Sequence, residues 1–387
     1  MAREDRSYFT DERRMMQELA RTFTREEVTP IANRLDPEKG DMPRELIHKM
    51  GDLGFFGILI PEEYGGLGLG AFEYCMVAEE LARGWMSVAS IIARGNGMYR
   101  GIRGDEPTRR EKIAAMAQGR YLGAAALSEP QTGSDLSNVA CTARRDGDEW
   151  VITGNKYWCT FADGANFINV LCRIDGGGGT VSVSVEKPAG ELPKGVTGSP
   201  IPKIGYFGWK TWELHFDNVR APADPEAGAR EGRAFQATAV GLELARAHTA
   251  ARSIGLAQAA LDHAAAYAQE RVQFGQPISD FQAIRFKIAT MATEIEAARQ
   301  LMYFTCTEID AGRPARKETS MVKYFASEMA ERVTSEALQI LGGAGYTTLH
   351  PIERYWRDAR LTKIFEGTSE IQQRIIADVM LGKPTRR

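Results

Sequence analysis

Cys141-Thr-Ala-Arg-Arg-Asp-Gly-Asp-Glu-Trp-Val-Ile-Thr153 is where the chain changes its period. Asp146-Gly147 lies between the short runs Cys141–Arg145 and Trp150–Thr153, and this pattern predicts a tight β-hairpin. The surrounding segments repeat the signal. Ala165–Ile174 and Thr180–Lys187 flank four successive glycines, Gly176 to Gly179, and Thr211–Phe216 alternates before Asp217-Asn218 and Pro222. Together they predict a compact antiparallel β domain over about 120–225.

On both sides of this region the period is 3.6. Thr10-Asp11-Glu12 starts a helical stretch in which Met15, Met16, Leu19, Phe23 and Val28 recur at helical spacing. Pro43 opens a second helix carrying Leu46, Ile47, Met50 and Leu53, and 71–93 and 107–118 read as helix again. Beyond 233, Phe235–Phe274 is rich in alanine and leucine and closes at Gly275 and Pro277. Phe281–Asp310 closes at Gly312-Arg-Pro, and Lys317–Leu341 runs into Gly342-Gly343-Ala-Gly345. Long helices with short connections predict an antiparallel bundle. The expected fold class is therefore α+β multidomain. It has an N-terminal helical domain (1–119), a central antiparallel β domain (120–232) and a C-terminal four-helix-type bundle (233–387).

Bulk properties exclude several function classes. A chain of 387 residues with 43% hydrophobic and 26% charged residues can bury sizeable cores, and a net charge of −3 gives no electrostatic case for nucleic acid. No window approaches 18 uninterrupted apolar residues, so no membrane span is expected. Met1 to Arg14 is charged and lacks an apolar h-region, which argues against a secretory signal. Five scattered cysteines without a CxxC pair fit free thiols in a reducing, cytoplasmic setting. The histidines show no HxxxH spacing, and no metal site is expected. The glycine cluster Pro61-Glu-Glu-Tyr-Gly-Gly-Leu-Gly-Leu-Gly70 lacks GxGxxG spacing and reads as a tight loop.

Near the end stands Ile364-Phe-Glu-Gly-Thr-Ser-Glu-Ile-Gln372. Glu366 is a lone carboxylate between an aromatic residue and a glycine, ahead of a helix start in which Ser369 and Gln372 have capping-box spacing. Read locally, it is either a solvated loop acid or a catalytic group.

Four motifs in order carry a resemblance to the acyl-CoA dehydrogenase family: Leu127-Ser-Glu-Pro-Gln-Thr-Gly-Ser-Asp135; Arg271-Val-Gln-Phe-Gly-Gln-Pro-Ile278 with Phe281-Gln282; Gln339-Ile-Leu-Gly-Gly-Ala-Gly-Tyr346; and Arg357-Asp-Ala-Arg360 leading into Glu366-Gly-Thr-Ser-Glu-Ile-Gln372. Pro61-Glu-Glu-Tyr-Gly-Gly66 is a further match. The resemblance spans essentially the whole chain. It implies FAD, an acyl-CoA thioester substrate, a homotetramer built as a dimer of dimers, and electron delivery to an electron-transfer flavoprotein. It implies α,β-dehydrogenation to the 2-enoyl-CoA, with a base at the α carbon and a hydride acceptor at the β carbon. The acyl group is expected to be short, branched or carboxylated.

Residue by residue, Glu366 matches the base of the family's loop-type members, with its backbone N–H polarising the thioester carbonyl. Other members place the base on a bundle helix before an arginine. Here that stretch is Leu242-Glu-Leu-Ala-Arg246, so the position holds Ala245. Glu243 matches an acid used toward CoA, or is a helix-surface charge; Arg246 and Gly367 are further substrate-side positions. Leu127, Ser128, Gly133 and Ser134 match the loop over the flavin, although Ser134 also suits the pantetheine. Trp158 and Thr160 match the aromatic and hydroxyl pair beside the ring; without the family, Trp158 reads as β-domain core. Arg271, Phe274 and Gln282 match contacts to the adenosine half from a neighbouring subunit. Gln339, Gly342 and Gly343 match the turn receiving it, and Thr368 and Glu370 match further FAD contacts.

Two departures stand out. Where the family often has Lys-x-Gly-x-Arg-Gly-Ser, this chain has Lys203-Ile-Gly-Tyr-Phe-Gly-Trp209. Phe207 and Trp209 imply either altered surface packing or a reshaped channel entrance. Arg94 lies in Ser87–Asn96, a stretch that in the family forms the far end of the acyl pocket. It either faces solvent or pairs with an acid, or it recognises a polar or carboxylated acyl end. Within the superfamily, an oxidase is disfavoured by chain length and a desulfinase by the loop carboxylate. A CoA-binding protein without turnover is disfavoured by the intact flavin motifs.

Overall fold

Thr10 opens the first helix of the structure, a computed structural model that describes residues 8–223, 232 and 234–384, with no side chains described for 235–240. The charged start Met1–Ser7 and the entry into the C-terminal region at 233 lie outside the described residues. α1 (Asp11–Phe23) has its N-terminus capped by the Thr10 hydroxyl, which accepts from Arg13 N–H. It passes through a π-turn at Thr24–Val28 into α2 (Thr29–Leu35). α3 (Arg44–Asp52) follows Pro43. α4 (Ala71–Gly84) is buried along almost its whole length, and the Asp310 carboxylate accepts from Ala71 N and Phe72 N at its start.

The single helix expected over 71–93 is broken. Trp85 is extended (φ −155°, ψ 120°) because its indole turns inward and donates to buried Asp36 at 3.1 Å. α5 (Met86–Ile91) and α6 (Ala93–Asn96) resume after it, and α7 (Glu106–Ala117) completes the N-terminal helices.

The sheet comprises β1 (Gly123–Ala126), β2 (Thr142–Asp146), β3 (Glu149–Thr160), β4 (Phe167–Ile174), β5 (Thr180–Glu186), β6 (Val196–Pro200) and β7 (Thr211–Pro222). The expected hairpin is β2–β3, with Asp146 opposite Glu149 and Gly147-Asp148 left in the turn. Pairing is antiparallel for β3–β7, β4–β5 and β6–β7 as well. The expectation of a wholly antiparallel sheet fails at β4, which pairs in parallel with β1 and, briefly, β2. The intervening β2–β3 excursion supplies the long connection that parallel neighbours need. β3 also carries a register shift between Lys156 and Cys159, and there Trp158 adopts φ 66°. The irregularity turns the indole outward, so Trp158 is 56% exposed instead of lying in the core.

α8 (Ala234–Glu270) is the central helix of the C-terminal region and packs on α4, α9 (Gln282–Asp310) and α10 (Arg316–Leu341). It stops earlier than the expected Phe274. Val272–Gln273 (β8) and Gln276–Pro277 (β9) form a hairpin, turned by Phe274 (φ 52°) and Gly275 (φ 83°). α11 (Ile352–Thr362) and α12 (Ser369–Leu381) complete the chain. The N-terminal helices and the bundle share one apolar core, and the sheet has its own. Tyr206, Phe207 and Trp209, from the β6–β7 connection, join the helical core. The surface reading of Phe207 and Trp209 is therefore wrong: both are buried where the three layers meet.

Candidate active site at the Glu366 loop

The loop between α11 and α12 is fixed from several sides. Ile364 N–H and Phe365 N–H donate to Leu361 O, and Ser369 N–H returns to Lys363 O at 3.0 Å. Between these ties Glu366 (φ 55°) and Gly367 (φ 92°) are both left-handed. The φ of Gly367 requires glycine, and a Cβ at 367 would stand 2.5 Å from Gln372 Nε2 and push that amide from its bond to Gly367 O. A non-glycine residue held at positive φ costs on the order of 1–3 kcal/mol and persists only where its surroundings impose it. Lys323 Nζ donates to Gly367 O at 2.7 Å, and Gln372 Nε2 donates to the same oxygen at 3.0 Å. The capping expectation shifts by one residue. Thr368 is the N-cap and accepts from Ile371 N–H at 3.3 Å, while Ser369 Oγ donates to Glu328 at 2.7 Å.

Lys323 is completely buried, and burial pushes its ammonium down to about 8. Above that value, and below its unfolded pKa near 10.5, the unfolded chain holds a proton here that the folded protein lacks. Stability at this site therefore rises with pH across that window, by roughly 1 kcal/mol per unit. Urea unfolding of wild type and Lys323→Met, compared at pH 7, 8.5 and 9.5, should show the stability difference growing in favour of wild type. A pH-independent difference would contradict the assignment.

The Glu366 carboxylate reaches into the helices. Its Oε1 accepts from Arg252 Nη2 at 2.9 Å. Its Oε2 atom is buried with no hydrogen-bond partner among the described residues, although the side chain as a whole is 28% exposed. The Glu366 N–H also meets no acceptor among them. Arg252, on α8, is 1% exposed. It donates to Ser90 Oγ and Thr249 Oγ1, each at 2.8 Å, and to His248 O at 3.3 Å, and its guanidinium lies 4.7 Å from the centre of the Phe365 ring. Burial opposes its charge, and Glu366 with Tyr206 and Tyr74 more than restores it, leaving Arg252 above its ordinary pKa. Tyr206 meets Phe365 edge to face at 5.8 Å. His248 stacks on Tyr74 at 4.6 Å, and burial, reinforced by Arg252, pushes its pKa well down. The neutral ring donates through Nε2 to Ala89 O at 3.1 Å.

Ala245, Thr249 and Arg252 share one face of α8 by their spacing. Arg252 thus stands two turns along from the alternative base position, which carries only a methyl group. Sequence reading passed over Arg252 and Lys323. The available signal was a charged residue inside a helical run that is otherwise free of Asp, Glu, Lys and Arg, Ala247 to Ala260 for Arg252.

The other expected site residues fall into separate groups. Ser128 O accepts from Tyr157 N–H at 2.8 Å and Leu127 O from Lys156 Nζ at 3.1 Å, which ties the Leu127–Ser134 loop to the strand bearing Trp158 and Thr160. Gly133 and Ser134 are exposed on that loop, and Thr160 meets Thr211 at 3.1 Å. Arg271, Phe274 and Gln282 lie on the exposed hairpin and the start of α9, with Phe274 96% exposed. Gln339, Gly342 and Gly343 are exposed at the end of α10, and a Cβ at either glycine would meet open space. No hydrogen bond or ring contact among the described residues joins these three groups. Thr368 and Glu370 start α12.

On the substrate side, Glu243 is half-buried. Arg246 is buried with its Nε unpartnered, and burial pushes its pKa down. Arg94 neither faces solvent freely nor pairs with an acid among the described residues. Its guanidinium lies over the Trp209 ring at 5.4 Å, with Nε buried and unpartnered.

The residues present fit a large, flat, polar-ended cofactor. Among the described residues an outward-turned indole has only Tyr157 as an aromatic neighbour, beside an exposed Gly-Ser loop, and an open glycine turn ends a helix. Comparison with known proteins gives the same direction. The profiles described as the acyl-CoA dehydrogenase N-terminal, middle and C-terminal domains match residues 10–120, 124–219 and 232–381. A 3-(aryl)acrylate reductase of Clostridium sporogenes is 37% identical over 97% of this chain and 100% of its own length. Butyryl-CoA dehydrogenase of Megasphaera elsdenii superposes with a TM-score of 0.88 at 32% identity, covering 96% of this chain and 99% of that one. A glutaryl-CoA dehydrogenase of Mycobacterium smegmatis in complex with FADH2 gives 0.91 at 26% identity, covering 99% and 98%.

Proposed function

The chain belongs to the acyl-CoA dehydrogenase family, whose members depend on FAD, and from that premise we propose that Glu366 abstracts the α proton of an acyl-CoA thioester. The observation that carries this reading is the state of Glu366. Its Oε2 and its own N–H both lack partners among the described residues, in a left-handed loop that its neighbours impose. A buried, unpartnered carboxylate oxygen costs free energy that a substrate C–H placed against it puts to use. The free N–H donates to the thioester carbonyl and polarises it, as at an oxyanion hole.

FAD supplies the acceptor for the β hydride when bound. Trp158, Thr160, Leu127, Ser128, Gly133 and Ser134 would hold its flavin end, and Ser134 would alternatively serve the pantetheine. Gln339, Gly342, Gly343, Thr368 and Glu370 complete the cofactor side. Arg271, Phe274 and Gln282 serve the FAD of a neighbouring subunit, within a homotetramer arranged as a dimer of dimers. Support for this comes from Phe274, which the turn holds 96% exposed, with only an edge-to-face contact to Phe281 at 6.1 Å among the described residues. Glu243, Arg246 and Gly367 bind the CoA side, Arg94 lines the acyl pocket, and electrons pass on to an electron-transfer flavoprotein. The acyl group is short, branched or carboxylated. Among the described residues no helix is long and apolar enough to cross a membrane, and all five cysteines are buried and free, which fits a cytoplasmic setting.

The test is direct. The FAD-loaded protein, mixed anaerobically with straight, branched, aromatic and carboxylated acyl-CoAs, should lose its yellow colour with at least one short or carboxylated member and yield the 2-enoyl product. Bound flavin that none of them reduces would reject the proposal. Rapid re-oxidation in air with stoichiometric peroxide would point to an oxidase instead.

A further inference from the structure

The charge around Glu366 is more than a proton-abstracting carboxylate requires. Arg252 is fully buried and already ordered before any substrate arrives. Ser90, Thr249 and the His248 carbonyl fix three of its edges. Of its five N–H donors these contacts and Glu366 use four, and one Nη1 hydrogen has no acceptor among the described residues. Its only carboxylate partner among them is Glu366. Arg94 adds a second guanidinium, without an acid partner among the described residues, within electrostatic reach of the same Tyr74, Tyr206 and His248 that feel Arg252.

Such a pair presents a difficulty for a neutral substrate. A carboxylate held on a guanidinium is a weaker base than a free one, and drawing it off would leave Arg252 buried and unpaired. Removing one partner of a buried pair is strongly destabilising, because it leaves an uncompensated buried charge. An acyl group bearing its own carboxylate removes the difficulty, because one anion can replace the other on the same donors. The distances restrict where that carboxylate sits. A carbon deprotonated by Glu366 lies within roughly 3 Å of a carboxylate oxygen, and Arg252 Nη2 is 2.9 Å from Oε1. A carboxylate carried one or two carbons beyond the α carbon spans the remaining gap.

We propose that Arg252 is the receptor for a carboxylate on the acyl group, and that Glu366 occupies this receptor until a dicarboxylic mono-thioester displaces it toward the α carbon. The inference rests on the reading of Glu366 as the base and adds its substrate class. Ser90 and Thr249 orient the receptor, and Arg94 contributes field, not contact. Selectivity follows from the exchange: an anionic acyl group both binds and frees the base.

The experiment uses FAD-loaded wild type, Arg252→Gln, Arg94→Ala and Glu366→Gln. Anaerobic flavin reduction is followed with succinyl-CoA, glutaryl-CoA and neutral butyryl-CoA. Wild type should favour one carboxylated thioester over butyryl-CoA by at least about tenfold. Arg252→Gln should lose about 100-fold more on that thioester than on butyryl-CoA, and Arg94→Ala much less. Equal losses on both, or a wild type without preference, overturn the proposal; the second result is decisive even if Arg252→Gln fails to fold. Binding of S-(3-carboxypropyl)-CoA, a thioether that cannot be dehydrogenated, separates this from the base assignment. Its Kd should rise about 100-fold in Arg252→Gln and fall several-fold in Glu366→Gln, where the competing charge is gone. Unchanged binding in either variant rejects the exchange. Retained flavin reduction in Glu366→Gln would instead reject the base while leaving the receptor to the binding data.

Discussion

Glu366→Gln is expected to keep FAD and acyl-CoA bound while flavin reduction falls by several orders of magnitude. A positioned general base contributes about 10²–10⁴. Here the loss should reach the upper end, since the alternative base position is Ala245 and carries no carboxylate. Glutamine is the informative substitution because its amide oxygen can still accept from Arg252 Nη2 and so preserve the buried contact. Alanine would confound chemistry with stability, since it leaves Arg252 unpaired in the core. Aspartate is one methylene shorter and should fall between wild type and glutamine. Single-turnover stopped-flow at the flavin absorbance, under argon, measures the step directly. Reduction within tenfold of wild type would remove Glu366 from the role of base. A loss that disappears once the acyl-CoA concentration is raised would show that the side chain serves binding instead.

How much of this site was legible in the sequence depends on how far each residue's role is local. Glu366 and Gly367 were, because their motif is contiguous and glycine reports its own backbone requirement. The β2–β3 hairpin and the long helices were, because period and turn chemistry are short-range signals, although the turn pair is Gly147-Asp148 and not the expected Asp146-Gly147. Trp158 was not placed correctly from pattern alone. An alternating strand assigns an indole to the core, and only the shift in pairing with β7 turns it outward. Arg252 escaped for a different reason. Its partner Glu366 is 114 positions away, and nothing along α8 reports that Phe365 and Ser90 converge on it. The parallel pairing of β4 is likewise invisible to strand signals, which encode the faces of a strand and not its neighbours. Phe207 and Trp209 looked peripheral because the stretch containing them is irregular. They are buried because the two helical regions close over it.

A second buried ion pair should be costly to disrupt although it lies away from the Glu366 loop. Lys156 and Glu129 are 2.8 Å apart, with side chains 0% and 1% exposed. Glu129 also accepts from Ala140 N–H at 2.7 Å, Cys141 N–H at 2.9 Å and Gln131 Nε2 at 2.9 Å. Lys156 donates in addition to Leu127 O. Lys156→Met keeps the aliphatic bulk and removes the charge, leaving a buried carboxylate with amide donors but no counter-ion. A loss of about 3–5 kcal/mol is expected. Glu129→Gln should cost a similar amount by stranding the ammonium. The double variant, with neither charge, should be more stable than the sum of the single losses by at least about 1 kcal/mol. Urea unfolding of all four proteins, with and without FAD, closes the cycle. Because the pair anchors the loop that begins at Leu127 and lies next to Tyr157 and Trp158, the single variants should also lose flavin, read as the ratio of visible to protein absorbance after gel filtration. Additive losses in the cycle would mean that the two charges do not depend on each other. Full flavin content alongside the expected instability would confine the pair to the sheet and separate it from the cofactor loop.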